Sequence, residues 1–398
     1  MKTRQGDIPT YLIIMILIMG AFGVMGGGLI APALPAIGEA FAAPDEQIGL
    51  VLSIYTLAAA LSLPLTGYLL DAVGRRKVGL ACLIIDGTAG LAIIFTPSFP
   101  AMLVLRFVQG IGIAGLIPVA MTIIGDLFQQ KRRLQVMGYL TGTISLGAVV
   151  IPSIGGFLAS VDWRLVFAVY GFSLLLALFF FGTLPETSEK HREKDSKTTS
   201  TESPRKYLAS LFSVLKITEI RNLMIHSLII YFLLYALVTF IPLYLVTGHG
   251  FTEIFTGLAL SLQGLFSALL ASQAGFIADF LSWRLRAAAG FALIALGFIL
   301  LPFWPEGSYL LSASFIIYGT GMGMVSPTIY NRATGLPPAN LTGSVIAIFN
   351  TMKFVGMTLA PLILGLIFAV TGLETIFIGV GIGAALWGFI TLRPLIAI

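Results

Sequence analysis

Residues 67–79, "GYLLDAVGRRKVG", place a glycine, an aspartate and three consecutive cations in a chain that is otherwise apolar. The whole sequence of 398 residues is 57% hydrophobic and only 10% charged, with a mean hydropathy of +0.98. A soluble protein of this size carries roughly 25% charged residues. The charges form short clusters, and apolar runs long enough to cross a hydrocarbon core of roughly 30 Å as helices separate them. Strands of a membrane barrel would be short and alternating, and no such segments are present. The stretch 67–79 is therefore a polar turn between two membrane helices.

Working outward, the sequence divides into twelve apolar spans: 11–34, 47–70, 77–96, 101–127, 134–159, 164–183, 222–247, 254–279, 287–303, 309–331, 343–370 and 375–392. Lys2 and Arg4 precede the first run, which is too long for a cleaved leader and lacks a small-residue cleavage site. With the N-terminus in the cytoplasm, one side carries 20 of the 23 lysines and arginines. That asymmetry predicts a multi-pass protein of the cytoplasmic membrane with both ends inside. The net charge of +5 follows from this topology, and nucleic acid is not expected as a partner. Cys82 is the single cysteine, which excludes a disulfide framework and any cysteine-rich metal site. His191, His226 and His249 are scattered through the chain. No metal, cofactor, nucleotide-binding motif or catalytic cluster is expected, so the protein reads as a non-enzyme.

Residues 184–221 are charged, Ser/Thr-rich and include Pro204, as in a disordered linker. Within them "YLASLFSVLK" could lie on the membrane surface as a short helix. The predicted organisation is a six-helix bundle over 1–183, a cytoplasmic linker over 184–221 and a second six-helix bundle over 222–398. The bundles repeat one another. Gly67, Asp71 and Arg76 recur 208 residues later as Gly275, Asp279 and Arg284. Gly110, Gly112 and Pro118 recur 209 later as Gly319, Gly321 and Pro327, and Gly147, Pro152 and Gly156 recur 209 later as Gly356, Pro361 and Gly365. A repeat of an even number of spans keeps the two copies facing the same way in the membrane, the layout of transporters with substrate held between halves.

Gly67, Asp71, Gly74, Arg75 and Arg76 match the G-x-x-x-D-x-x-G-R-[RK] signature that the chain shares with the major facilitator superfamily, so it resembles that family. "RFVQGIG" from Arg106 to Gly112 is similar to the family's fourth-helix motif. "GAVVIPSIGG" over 147–156 is similar to the fifth-helix pattern of its drug:proton antiporters, with Ile151 replacing the glycine before Pro152. The resemblance implies twelve helices in two pseudo-symmetric bundles, a small amphipathic substrate, protons as coupling ion and a monomer in the lipid bilayer. It also implies a cytoplasmic gate in which Asp71 faces the N-terminus of span 11 near Thr342 and Gly343, where a helix dipole favours a carboxylate. Asp126 is expected to pair with Arg75 or Arg76 as a latch on that side. For Gly147, Pro152, Gly155 and Gly156 the alternative to a transport role is close helix packing.

Charges within spans are functional candidates. Arg106 is either a coupling group or a structural cation bonded to carbonyls, with Gln109 on its face. Asp86 sits mid-span on a helix that the resemblance makes peripheral, so it meets lipid or the cavity, as silent hydrogen-bonder or coupling acid. Lys353 lies near the midplane with Asn350 and Met357 on its face and few acids to partner it. It is either neutral for part of the cycle, taking up a proton as substrate leaves, or paired with an arriving anion; the alternative is a cation bonded to Asn350 and carbonyls. Tyr55, Tyr231, Tyr235 and Tyr318 are candidate stacking surfaces for substrate, or ordinary packing. Proton-coupled efflux of the multidrug type is the expected activity. Uptake or facilitated passage of an organic anion or metabolite is the alternative, and a non-transporting sensor a remote one.

Overall fold

The computed structural model describes residues 8–183, 214–305, 307–335 and 342–393, without the side chains of residues 24, 71, 342 and 343. The linker residues 184–213, and with them most of the expected surface helix, lie outside the described residues. Twelve helices of at least 13 residues follow one another among the described residues. They are α1 (Thr10–Gly28), α2 (Leu50–Ala72), α3 (Arg75–Ile93), α4 (Phe99–Leu127), α5 (Gln130–Val161) and α6 (Gly171–Thr183). After the linker come α7 (Thr218–Leu243), α8 (Glu253–Ser272), α9 (Trp283–Leu300), α10 (Ser312–Gly335), α11 (Thr342–Phe368) and α12 (Leu373–Leu392).

Ten segments are long and apolar enough to cross a membrane, and the pair Thr10–Gly23 and Met25–Phe41, bent by 50°, makes an eleventh. The remaining expected span is α3. Its 19 residues carry Arg75, Arg76 and Lys77 at the start and Asp86 in the middle, so it is the least apolar of the set. Span 6 is interrupted: a short helix, Trp163–Ala168, precedes α6. Asp162 starts that short helix, its carboxylate accepting from the Arg164 amide at 2.8 Å.

Chain punctuation sets the turns. Gly74, between α2 and α3, has φ 108°, a backbone region that a Cβ disfavours. Successive helices joined by such short turns alternate in direction, so α1 starts and α12 ends on the side where α6 ends and α7 starts, here termed the linker side. The helices before the linker pack on one another, chiefly α2 on α4, α3 on α4 and α1 on α5. Those after it do the same through α7 on α11, α9 on α10 and α8 on α10.

The repeated glycines take matching places. A side chain at Gly110 would strike the Tyr55 carbonyl of α2, and one at Gly319 would strike the Gln263 carbonyl of α8. Gly112 faces α3 at Asp86, and its counterpart Gly321 faces α9 at Gly290 and Ile294. The two bundles meet along two seams, α5 on α8 and α2 on α11. Here too the pairs mirror each other: Gly156 lies under the Glu253 carbonyl at the start of α8, and Gly365 under the Glu46 carbonyl just ahead of α2.

Candidate functional site

The seams close the side opposite the linker. Thr56 and Thr358 share a buried hydroxyl–hydroxyl bond of 2.9 Å between α2 and α11. Ser153 and Ser261 share one of 2.7 Å between α5 and α8, and the Ser261 hydroxyl also accepts from the Ser153 amide at 3.1 Å. Nearer the far end, Gly49 abuts Pro361 and Thr239. Gly155 and Gly156 stand back to back in function: Gly155 lets α5 approach the Leu29 carbonyl of its own bundle, Gly156 the other bundle. Toward the linker side α5 keeps Val136 and Leu140 buried, Leu140 against Gly20 of α1, while its other face opens. Gly138 and Gly142 have open space where a side chain would be, and Leu134, Tyr139 and Leu146 are exposed.

Between the bundles, on the linker side of the Thr56–Thr358 bond, lies a cavity of about 330 Å³. The first bundle contributes Leu63, Gly67, Ile117 and Met121 among others, and α11 contributes Ile346, Ala347, Asn350, Lys353 and Phe354. Lys353 is its only charged lining residue among those described. The Lys353 ammonium sits 4.9 Å from the Tyr231 ring centre and 5.7 Å from that of Phe354. Asn350 donates to the Ile346 carbonyl at 3.0 Å, and the neighbours the structure gives the Lys353 ammonium are the two rings, where bonding to Asn350 was the alternative. Met357 is buried away from the cavity.

A second polar feature is wholly buried inside the first bundle. Asp86, Arg106 and Gln109 are all fully shielded. Arg106 donates to the Gln109 side-chain oxygen at 2.7 Å, and Gln109 donates to Asp86 Oδ1 at 3.2 Å. Ser173 of α6 donates to Asp86 Oδ2 at 2.7 Å. The same guanidinium donates to the carbonyls of Val51 at 3.0 Å and Gly26 at 3.1 Å, and lies 4.0 Å over the Tyr55 ring. Asp86 therefore faces neither lipid nor cavity. The physical reason is Gly112, which draws α4 tightly onto α3 at Asp86 and encloses the carboxylate. Both readings of Arg106 meet here: it binds carbonyls, and it is two bonds from an acid.

The repeat supplies an internal comparison. At the offsets of 208 and 209, Asp86, Arg106 and Gln109 correspond to Ile294, Phe315 and Tyr318, all buried. The second bundle packs the same way with apolar side chains, so this fold does not require the polar chain. Tyr318 packs edge-on against Phe298 at 5.3 Å inside its bundle and is not at the cavity wall. Tyr55 and Tyr235 are buried beside Gly26 and Gly27, and neither they nor Gln109 line the cavity. Gly147 and Pro152 are buried within α5.

Arg75 and Asp126 pair at 3.0 Å, and Arg75 also donates to the Leu70 carbonyl at 2.8 Å. Arg76 bonds the Phe181 carbonyl and stacks over the Phe181 ring at 5.1 Å. The expected pairing of Asp126 with Arg75 is present, and the described contacts of Arg75 and Arg76 strut α2, α3, α4 and α6 together. The side chains of Asp71, Thr342 and Gly343, the other half of the expected gate, lie outside the described residues. Sequence reasoning missed Ser173, Thr56, Thr358, Ser153 and Ser261. Each of these apolar runs carries more than one hydroxyl, so nothing in the sequence singled these out.

The arrangement matches known carriers. The chain is 26% identical over 348 residues to the bacillibactin exporter of Bacillus subtilis, covering 85% of each. It is 23% identical over 364 residues to the quinolone resistance protein NorA of Staphylococcus aureus, covering 91% of each. In fold it is similar to an inward-facing, unoccupied bacterial homologue of the human lysosomal transporter Spinster, with a TM-score of 0.76 at 16% identity, over 97% of this chain and 95% of that one. The family model of the Major Facilitator Superfamily matches residues 16–361, and the chain belongs to that superfamily.

Proposed function

We propose that this protein is a monomeric secondary transporter of the cytoplasmic membrane that exports a small amphipathic molecule by alternating access, driven by protons. The cavity shared by two bundles and sealed at one end carries the reading. Segments 1–183 and 222–398 rock as two bodies about it, with 184–221 as the connecting linker. The cation bias assigns the linker side to the cytoplasm, so the cavity accepts its cargo from inside. Similarity to two proteins named as an exporter and a resistance protein favours the outward direction.

Proton coupling rests on the Asp86–Gln109–Arg106 chain. A fold that manages without these groups in its second copy keeps them in the first, where an intramembrane acid is functional by default. Gain or loss of a proton at Asp86 alters its bonds to Gln109 and Ser173, and through Gln109 alters Arg106, which holds the Gly26 and Val51 carbonyls of α1 and α2. That route links one protonation event to the helices on which the bundles rock.

The test is flux of fluorescent amphiphiles in proteoliposomes with and without an imposed pH gradient. Gradient-dependent accumulation is expected. Downhill movement indifferent to the gradient would refute coupling and favour facilitated passage of an organic anion; no movement of any compound would refute the carrier reading.

A further inference from the structure

We propose that the cavity selects amphiphiles carrying a single acidic group, with Lys353 as the residue that binds the anion. The inference rests on the carrier reading above for the cavity's role, and adds the chemical class of its cargo.

Among the described residues, the cavity wall is apolar apart from three side chains: Thr122, Asn350 and Lys353. Two of these are already engaged. The Thr122 hydroxyl donates to the Pro118 carbonyl at 2.7 Å, and the Asn350 amide donates to Ile346. Thr122 therefore offers a ligand an acceptor, and Asn350 its oxygen and one remaining N–H. Lys353 offers three donors and a positive charge. The ion pairs among the described residues are Arg75–Asp126 and Arg164–Asp162, and neither involves it. Its neighbours are the faces of Tyr231 and Phe354, whose quadrupoles attract a cation without neutralising it. A charge held in a low-dielectric wall interacts with an incoming opposite charge far more strongly than in water. It repels a like charge by the same physics.

Asp86, the acid of the buried chain, does not compensate Lys353. Its oxygens are taken by Gln109 and Ser173, inside the other bundle and away from the cavity. Among the described residues, the only charge that a ligand in this cavity meets at the wall is positive. With about 330 Å³, the space is near the lower end of the roughly 300–1,000 Å³ usual for small-molecule sites. Leu63, Ile117 and Met121 supply the surface for the apolar body while the acidic group rests on the ammonium.

The experiment uses purified full-length protein in lipid nanodiscs and three probes differing only in charge: naphthalene-2-carboxylate, naphthalene-2-methanol and naphthalene-2-methylammonium. Equilibrium dialysis should show the carboxylate binding at least tenfold tighter than the alcohol, with the ammonium weakest. Lys353→Gln should abolish that preference and leave alcohol binding unchanged, and Lys353→Arg should retain it. Gel filtration of each variant checks that the fold is intact. A carboxylate preference that survives in Lys353→Gln, a wild type that prefers the ammonium, or no binding of any probe would each overturn the proposal. Flux of the carboxylate in proteoliposomes separates the two readings. Binding through Lys353 without flux leaves the selectivity standing and removes the carrier reading. Flux indifferent to Lys353 does the reverse.

Discussion

Replacing Gly156 by alanine puts a methyl group into the seam between α5 and α8. The added carbon would overlap the Glu253 carbonyl and lie 3.1 Å from the Gly257 Cα, both on the opposite bundle. An ordinary C···O separation is about 3.3–3.6 Å. Restoring it requires α5 and α8 to part by about 1 Å. Neither atom can yield by a rotamer change, since both are backbone. Overpacking of this kind destabilises by about 1–3 kcal/mol, and the whole penalty falls on the state in which the far side is closed. An equilibrium shift of about 5- to 150-fold follows. Gly142→Ala is the matched control, being the same substitution on the same helix where a side chain meets open space. The reporter is Thr239→Cys, a position buried in the closed seam beside Gly49. Cys82 is itself buried, so the background reacts little with a thiol reagent. Alkylation at position 239 should accelerate by the stated factor in Gly156→Ala and stay at the wild-type rate in Gly142→Ala. Equal rates in all three proteins would refute the claim that this seam sets the closed state.

Thr56→Val and Thr358→Val each remove the same shared bond, worth about 0.5–1.5 kcal/mol net. Either should raise the alkylation rate at position 239 by a small factor, and the double variant should add little to the single ones; full additivity would show that the hydroxyls act independently. Asp86→Asn preserves the packing, since its amide oxygen can accept from Gln109 while the Ser173 hydroxyl turns to accept from the amide nitrogen. Substrate binding should persist and pH-driven accumulation disappear; an unchanged pH profile of transport would make Asp86 a structural hydrogen-bonder. Arg75→Ala removes one partner of Asp126, whose side chain is only 10% exposed, together with the bond to the Leu70 carbonyl. A loss of about 1.5–3 kcal/mol is expected, as for hydrogen bonds to charged groups, and a melting midpoint equal to wild type would count against the strut.

The architecture was legible because membrane helices announce themselves by length and composition, and because a duplicated unit leaves glycines at a fixed offset. Gly110 with Gly319, and Gly112 with Gly321, could be paired from spacing alone, and the structure gives each pair the same packing duty. The site was less legible. Lys353 stood out as a lone charge in an apolar run, and the structure puts it at the cavity wall. Asp86 stood out equally, yet its surroundings depend on Gly112 and on Ser173, 87 positions later. Hydropathy along a span records how apolar a helix is, not which of its faces a neighbour covers. For the same reason the tyrosines were poor guides: Tyr318 belongs to the interior of its bundle, and Tyr231 is beside the cavity cation.

The glycine seams bear on speed. Where Gly156 meets the Glu253 carbonyl and Gly365 meets that of Glu46, the facing surfaces are backbone against backbone, without interlocking side chains at those points. Such surfaces behave as bearings. Parting them there requires no unmeshing of rotamers, and the carbonyls keep the bonds of their own helices throughout. The hydroxyl pairs that bridge the seams are bonds that must break as they open, and clearance is a kinetic property as much as a packing one. A single methyl group at Gly156 wedges such a bearing ajar, so it eases the parting instead of jamming it.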